Sequence, residues 1–281
     1  MTWERMTIDE YAELASKMGA RLHKIDDVWW KEVRPFFFRP LFPFASFIPH
    51  SQKAPLSSFL VGFQHLVPTK EYANSNMHFL IFDDLRNYSI ESLTHDYRKN
   101  IKKGLKNFQV KTISGPGELI DDGFAVYQSF YMRTHYYWKT ERTNKKEFVK
   151  WVETLFSFPK LLLLGVYSQE HLQAVSVSYF VMNIIIYATY FSKTEALQGR
   201  SSELMLHAIR ERAASCDGVN WIYMGSPGTK ESLDYFKTSR GCKVISKPAY
   251  YRLNFVTHFL LKQFRKEDYK KLVGLHAAAS H

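Results

Sequence analysis

Three consecutive stretches in the second half of the chain decide the fold class. Residues 161–168 read LLLLGVYS, residues 172–182 read LQAVSVSYFVM, and residues 184–192 read IIIYATYFS. Each is rich in β-branched and aromatic residues, which favour strands. Polar residues, among them Asn183, separate the stretches in the manner of hairpin turns. The pattern therefore predicts three neighbouring antiparallel strands.

Helices and further strands are predicted on both sides of these three strands, from apolar periodicity and from turn residues. The predicted helices lie at about residues 118–137, 145–157, 203–215 (capped by Ser201 or Ser202), within 226–241, and 257–271. The predicted strands lie at residues 109–114, 219–225 and 243–255. Residues 193–202, KTEALQGRSS, are predicted to form a polar loop. This order of elements predicts a mixed α+β fold.

The composition indicates a globular protein with an anionic partner. Of the 281 residues, 46% are hydrophobic and 16% aromatic, which is more than a disordered chain carries. The 38 Lys and Arg residues outnumber the 27 Asp and Glu residues, giving a net charge of +11. Such an excess suits phosphate-bearing ligands, nucleic acid or an anionic membrane surface, and does not choose among them.

Cysteine usage and the N-terminus indicate a cytoplasmic protein. Cys216 and Cys242 are the only cysteines and lack the spacing of a metal motif, so we expect no disulfide framework and no metal site. The first residues contain acids and resemble no targeting peptide. We expect no transmembrane segment, because no apolar run approaches the roughly 20 residues of a span. Peripheral membrane contact stays open.

The first ninety residues are predicted to contain a short helix at residues 7–18, followed by strands and loops rich in aromatics and prolines. Six phenylalanines cluster within residues 36–47: Phe36, Phe37, Phe38, Phe42, Phe44 and Phe47. They favour simple core packing, because large aromatic side chains are mostly buried. An acceptor groove or a membrane interface is the alternative.

A helix predicted at residues 92–106 combines an apolar stripe with a cationic face. The stripe consists of Leu93, Tyr97, Ile101 and Leu105, at four-residue steps. The opposite face carries Arg98, Lys99, Lys102, Lys103 and Lys106. Of these, Arg98, Lys102 and Lys103 are candidates to bind phosphates of a substrate, and a solvated basic face is the alternative.

Three stretches carry a resemblance to a known family. They are DYRKNIKKGLKN (residues 96–107), SSELMLHAIRERAASCDGVNWIYMG (201–225) and GTKESLDYFKTSRGCK (228–243). The chain resembles the FemAB-like, peptidyltransferase-type branch of the GNAT acyltransferase superfamily, most clearly at Leu233, Phe236, Lys237 and Gly241. The resemblance implies a GNAT fold with two GNAT-like halves, the N-terminal one truncated. Residues 1–107 would form that partial half, and residues 108–281 the complete acyltransferase domain.

The resemblance also implies roles for individual residues. Lys237 would stabilise an oxyanion or hold a phosphate, although most lysines are simply solvated. Tyr251, beside Tyr250, would be a catalytic acid, although tyrosines in a strand usually pack. The predicted substrate-binding residues are Phe236, Tyr190, Gly225 and Ser226, together with Arg98, Lys102 and Lys103.

The loop at residues 193–202 bears on which acyl donor the protein would bind. Gln198, Gly199, Arg200 and Ser201 are candidates to bind donor phosphates, with an ordinary N-cap loop as the alternative. Their glycine spacing departs from that of coenzyme-A-binding GNAT loops. We expect no tightly bound cofactor, and the resemblance implies aminoacyl-tRNA or acyl-CoA as co-substrate.

Three hypotheses for the function remain open. In the first, a FemAB-like aminoacyltransferase moves an aminoacyl or acyl group to an amine. In the second, an acyl-CoA-dependent N-acetyltransferase uses the same fold. In the third, a non-catalytic basic module binds RNA or an anionic membrane, since a fold does not by itself fix a function.

Overall fold

The structure is a computed structural model, and it describes residues 3–136, 139–228 and 231–274. It confirms the mixed α+β class. The helices are α1 (Ile8–Lys17), α2 (His95–Asn107), α3 (Pro116–Thr134), α4 (Lys145–Phe156), α5 (Thr194–Gln198), α6 (Ser201–Ala214), α7 (Glu231–Thr238), α8 (Phe255–Phe264) and α9 (Lys266–Val273). The strands are β1 (Leu22–Ile25), β2 (Val28–Arg34), β3 (Phe37–Pro40), β4 (Gly62–Leu66), β5 (Ser75–Phe82), β6 (Gln109–Thr112), β7 (Leu161–Ser168), β8 (His171–Val181), β9 (Ile184–Ser192), β10 (Trp221–Tyr223) and β11 (Lys243–Leu253).

The chain forms two compact units, each assembled from two separate parts of the sequence. The first unit contains residues 3–7 and Ile81–Lys243, and the second contains Ile8–Leu80 and residues 244–274. The sequence predicts a boundary at residue 107 between two GNAT-like halves. The two compact units do not test that boundary. It stays a prediction.

The first unit contains a sheet with the strand order β10, β9, β8, β7, β6, and the last two residues of β5 pair with β10. Strands β7, β8 and β9 pair antiparallel, as predicted, and β6 pairs antiparallel with β7. Strand β10 instead runs parallel to β9, because α5 and α6 carry the chain back across the sheet. The bounds of β7 and β9 agree with the predicted stretches, and β8 begins one residue earlier.

Helices cover both faces of this sheet. Side chains alternate along a strand, so neighbouring residues of β9 face opposite ways. The ring of Phe191 packs against Tyr127 of α3, at 5.3 Å between centroids. The hydroxyl of Tyr190 lies 3.0 Å from Ser202 Oγ of α6. Thus α3, with α4 packed on it, covers one face, and α6 covers the other.

Helix α2 packs on α6 through a glycine. A Cβ atom at Gly104 would lie 3.0 Å from Leu204 Cβ and 3.1 Å from the Arg200 carbonyl oxygen, so the two helices approach closely there. Tyr97 and Ile101 are buried as predicted, but Leu105 is 54% exposed, and its predicted place in the buried stripe is wrong. The glycine takes that place, because only a residue without a side chain fits against Leu204.

The second unit contains the strand order β1, β2, β3, β4, β11, followed by most of β5. Strand β4 pairs parallel to β3 and antiparallel to β11. Its core includes the fully buried Trp30, whose ring meets Phe63 edge-on at 5.9 Å between centroids. The predicted last strands form one strand, and the predicted C-terminal helix is two helices, α8 and α9, separated at Arg265.

The phenylalanine cluster at residues 36–47 divides between core and surface. Phe37 and Phe38 are buried in β3, while Phe36 is exposed, with a left-handed φ of 60°. Phe42, Phe44 and Phe47 are half-buried. Packing therefore explains most of the cluster.

Across the residues that the structure describes, no helix combines the length and the apolar character needed to cross a membrane. Residue 137, at the predicted end of α3, and residues 229 and 230, in the third family-like stretch, lie outside the described residues.

Candidate active site

The candidate site of the first unit, called here the opening, is the carboxyl end of β9 and β10, where the pairing of these two strands stops. These parallel strands pair only from Ile184–Ile186 to Trp221–Tyr223, and β9 then continues to Ser192 without β10 beside it. In sheets with parallel strands, ligands bind beyond the carboxyl ends, where the direction of the connections changes. The predicted residues Tyr190, Gly225 and Ser226 all lie at this end of the two strands.

Gly225 begins the loop that leaves β10. Its φ of 98° is in the region that favours glycine, and a Cβ atom there would meet no atom of the described residues within 4 Å. Ser226 is exposed beside it. Farther along the loop, the Gly228 amide donates to the carboxylate of Asp234, which fastens the loop to α7. The described part of the loop, up to Gly228, therefore turns sharply at Gly225 and leaves the Cβ side of that residue free of other described atoms.

Lys237 reaches this strand end from α7. Its Nζ atom donates to the main-chain carbonyl oxygen of Met224, at 2.8 Å, immediately before Gly225. Burial lowers the pKa of the Lys237 amine, and the nearby Asp234 carboxylate opposes that shift. The structure thus places Lys237 beside Gly225 and holds a partly desolvated cation at the edge of the opening. The catalytic role of Lys237 stays a prediction.

Phe236 and the C-terminal end of α7 are fixed by Arg240. The Arg240 guanidinium lies 3.8 Å from the centroid of the Phe236 ring and donates to the Phe236 carbonyl oxygen at 2.9 Å. It also donates to Glu203 Oε1 of α6, at 2.7 Å. Arg240 therefore connects α7 with the start of α6.

The N-terminal end of α6 is closed around a buried carboxylate. Glu203 is only 3% exposed and pairs with Arg200 at 3.3 Å as well as with Arg240. Ser201 is fully buried, and its Oγ lies 3.3 Å from the Tyr190 hydroxyl. The helix dipole is thus met by a carboxylate from the chain itself. Sequence reasoning missed both Glu203 and Arg240, although an acid in the first turn of a helix is a common stabilising signal.

The remaining residues predicted to bind donor phosphate are partly covered. The ring of Phe108 lies where a Cβ of Gly199 would be, and the Asn107 side chain donates to the Gly199 carbonyl oxygen at 3.3 Å. Gln198 is exposed. The predicted cap at Ser201 or Ser202 is wrong, because Arg200 is the N-cap, with a left-handed φ of 73° and no side-chain cap. The phosphate-binding role of this loop stays a prediction.

The cationic side of α2 belongs to the same unit. Arg98 is half-buried, and Lys102 and Lys103 are exposed. On the inner side of the helix, burial raises the pKa of the Tyr97 hydroxyl to about 12. Because Gly104 packs on Leu204 and Arg200, this basic surface lies on a helix that contacts the start of α6.

Tyr251 lies in the second unit. It pairs with Gln64 in β4, and its main-chain amide donates to Asn74 Oδ1 at 2.8 Å. Burial raises the pKa of its hydroxyl to about 12, and a hydrogen bond with Tyr269 acts in the same direction. Its catalytic role stays a prediction. In the described ranges, no group of three or more His, Cys, Asp or Glu side chains could hold a metal ion.

Comparisons with known proteins extend the description of the fold. No family model and no curated protein matches the chain. Among solved structures, it is similar to the C-terminal domain of a putative lysylphosphatidylglycerol synthetase from Agrobacterium fabrum. That match has a TM-score of 0.59 and 10% identity, over 89% of this chain and 91% of that one.

Two further structures are similar. For L-PGS from Bacillus licheniformis, the TM-score is 0.55 and the identity 12%, over 94% of this chain and 92% of that one. For FemX, the TM-score is 0.51 and the identity 10%, over 66% of this chain and 63% of that one. At these identities the likeness concerns the fold alone.

Proposed function

We propose that the chain is an acyltransferase that moves an aminoacyl group from tRNA to an amine, at the opening beyond β9 and β10. The observation that carries the proposal is Lys237, a partly desolvated cation that bonds to the Met224 carbonyl oxygen at 2.8 Å beside an open glycine. The fold-level likeness to FemX and to the synthetase domain supports transfer of an acyl group. This likeness does not identify the acyl donor or the acceptor, which we infer from the chemistry of the site.

The transfer follows from elementary acyl chemistry. The acceptor nitrogen attacks the carbonyl carbon of the aminoacyl ester, a C–N bond forms, and negative charge develops on the carbonyl oxygen. The C–O bond to the ribose then breaks, and the amine proton passes to the leaving oxygen. Lys237 would stabilise the developing oxyanion, because a cation with little competing water interacts more strongly with it. The same cation would otherwise hold a donor phosphate.

The α6 N-terminus favours tRNA over coenzyme A as donor. Glu203 lies buried in the first turn, and Ser201 is fully buried, so a pyrophosphate there would meet a carboxylate and few accessible amides. The cationic side of α2, with Arg98, Lys102 and Lys103, offers charges suited to a polynucleotide backbone. Acyl-CoA as donor, acting on an amine through the same site, remains the alternative.

The decisive experiment measures transfer of label. The purified chain is incubated with tRNA charged with labelled amino acids, or with labelled acetyl-CoA, and a panel of peptide, lipid and small-molecule amines. We expect label to move from tRNA and not from acetyl-CoA, and Lys237→Met to lower the rate of this transfer by about 100-fold. The matched control is Lys145→Met, because Lys145 also donates to a main-chain carbonyl oxygen, that of Ile120, away from the opening.

The outcomes separate the hypotheses. Transfer from acetyl-CoA alone would replace the tRNA donor. Binding of tRNA that weakens with salt, without transfer to any acceptor in the panel and with equal binding by Lys237→Met, would favour the non-catalytic basic module. Equal transfer by wild type and Lys237→Met would refute the role of this lysine.

A further inference from the structure

The second unit exposes large apolar side chains in two neighbouring segments. One is helix α8, and the other is the short 3-10 helix Leu56–Leu60 before β4. The exposed side chains, called here the apolar patch, are Leu56, Phe59, Leu60, Phe255, Val256, Phe259, Leu260 and Phe264. Leu56 is 83% exposed and Phe255 is 84% exposed. Scattered apolar residues are normal on a protein surface, but a contiguous group marks an interaction site.

Helix α8 exposes its phenylalanines to solvent, which an ordinary surface helix does not do. Its half-buried side chains are Thr257, His258 and Leu261, and His258 Nε2 lies 3.0 Å from the Tyr269 hydroxyl of α9. A surface helix of a globular protein directs its apolar stripe inward and its polar residues to water. In α8 the outward side carries three phenylalanines, so water is an unfavourable neighbour for it.

Asn254 holds the two segments together. Its main-chain amide donates to the Val61 carbonyl oxygen at 3.0 Å, and its side-chain amide donates to the carbonyl oxygens of Phe59 and Leu60. Its Oδ1 atom caps α8 by accepting from the Thr257 amide, at 2.6 Å. The apolar patch is therefore one surface that exists before any partner binds.

Basic side chains accompany the apolar patch. The Arg252 guanidinium lies 5.2 Å from the centroid of the Phe59 ring and lines a cleft of about 240 Å3 between the two segments. Lys262, Arg265 and Lys266 are exposed at the C-terminal end of α8 and the start of α9, where Arg265 also pairs with Asp268 at 2.7 Å. An apolar surface bordered by cations is complementary to a bilayer that carries anionic headgroups.

We propose that the apolar patch docks the protein on an anionic lipid bilayer. Phe59, Phe255 and Phe259 enter the boundary between headgroups and acyl chains, and Arg252 and Lys262 meet lipid phosphates. Aromatic and aliphatic side chains beside Lys and Arg form the arrangement by which helices lie in a membrane interface without crossing it. The proposal does not depend on the proposed transferase activity, because it uses residues of the second unit only.

Vesicle flotation tests the proposal. The full chain is mixed with vesicles of phosphatidylcholine, or of phosphatidylcholine and phosphatidylglycerol in about equal amounts. We expect flotation with the anionic vesicles, weakened at least tenfold by Phe255→Ser with Phe259→Ser, because each phenylalanine buries apolar area in the bilayer. The matched control is Leu105→Ser with Met132→Ser, which removes two exposed apolar side chains of the first unit.

Each outcome has a meaning. No flotation with either vesicle, or equal flotation of wild type and the Phe255→Ser, Phe259→Ser variant, overturns the proposal. Equal flotation with neutral and anionic vesicles overturns its electrostatic part, which the Lys262→Gln, Lys266→Gln variant tests separately. If sedimentation shows a dimer that the phenylalanine variant loses, without flotation of wild type, the patch binds a second copy instead. Circular dichroism melts establish that each variant is folded.

Discussion

The closed start of α6 and the open turn after β10 differ in how their charges are satisfied. At α6, Glu203 meets two guanidiniums and is buried, and α2 covers the loop before it. At the turn, Lys237 donates to one main-chain carbonyl oxygen near the Asp234 carboxylate, and no atom of the described residues lies within 4 Å of a Cβ built on Gly225. A saturated network of charges stabilises a fold, whereas a cation whose hydrogen bond goes to a neutral carbonyl oxygen retains the capacity to bind an anion. The two ends should therefore respond differently to substitution.

The largest expected effect is on the closed end. Glu203→Ala removes the carboxylate that both Arg200 and Arg240 bind, so it should lower the free energy of unfolding by about 3 kcal/mol or more. Urea denaturation measures it. Glu211→Ala is the matched control, because Glu211 is an exposed acid of the same helix that pairs only with His207, and it should change stability by less than about 1 kcal/mol.

The open end should show the opposite pattern. Lys237→Met should lower the rate of acyl transfer by about 100-fold, the usual cost of losing one oxyanion-stabilising group. Its free energy of unfolding should stay within about 1 kcal/mol of wild type, because the methionine keeps the apolar part of the side chain and removes a desolvated charge. A loss of stability as large as that of Glu203→Ala would remove the contrast between the two ends.

The contact between α2 and α6 should be sensitive to a single methyl group. Gly104→Ala places a Cβ atom about 3 Å from Leu204 and Arg200, so we expect a loss of about 1 kcal/mol of stability. Gly117→Ala, in the first turn of α3 with nothing within 4 Å, should instead be neutral or gain up to about 1 kcal/mol. If both substitutions stabilise the protein, the close packing of α2 on α6 is wrong.

The smallest effect concerns pH. Because burial lowers the pKa of Lys237, the folded protein loses this proton at a lower pH than the unfolded chain, whose lysine has the ordinary value of 10.5. Between those two values the unfolded state binds more protons, so the stability of wild type rises with pH relative to Lys237→Met. The free energy of unfolding is measured for both proteins from neutral pH towards pH 10.5. The wild-type value minus the Lys237→Met value should increase over this range. A constant difference would contradict the shift.

The strands of the first unit were predictable because their signal is local. Continuous apolar runs interrupted at Asn183 fix β7 to β9 almost to the residue. Errors arise where distant residues decide the outcome. Leu105 lost its predicted burial to Gly104 because Leu204, far along the chain, leaves room only for a glycine. Helix α5 formed within the predicted loop.

The candidate site was predictable only in part. The resemblance led to Lys237 and Gly225, which the structure brings together. Glu203 and Arg240 could not be paired from sequence, since their contact joins two helices separated by a strand and a loop. The apolar patch could not be predicted, because the sequence of α8 does not show which of its faces packs on the protein and which faces solvent. Its helix was predicted from residue 257, so Phe255 and Val256 were not considered part of it.

The division of each unit between two parts of the sequence has a consequence for synthesis on the ribosome. Strand β4 is made early, but β11, its antiparallel partner, is made only after the residues of the first unit have been synthesised. Until then one side of β4 exposes unpaired main-chain groups, a state prone to aggregation. A nascent chain of this protein therefore carries an incomplete second unit while residues 81–243 are being synthesised.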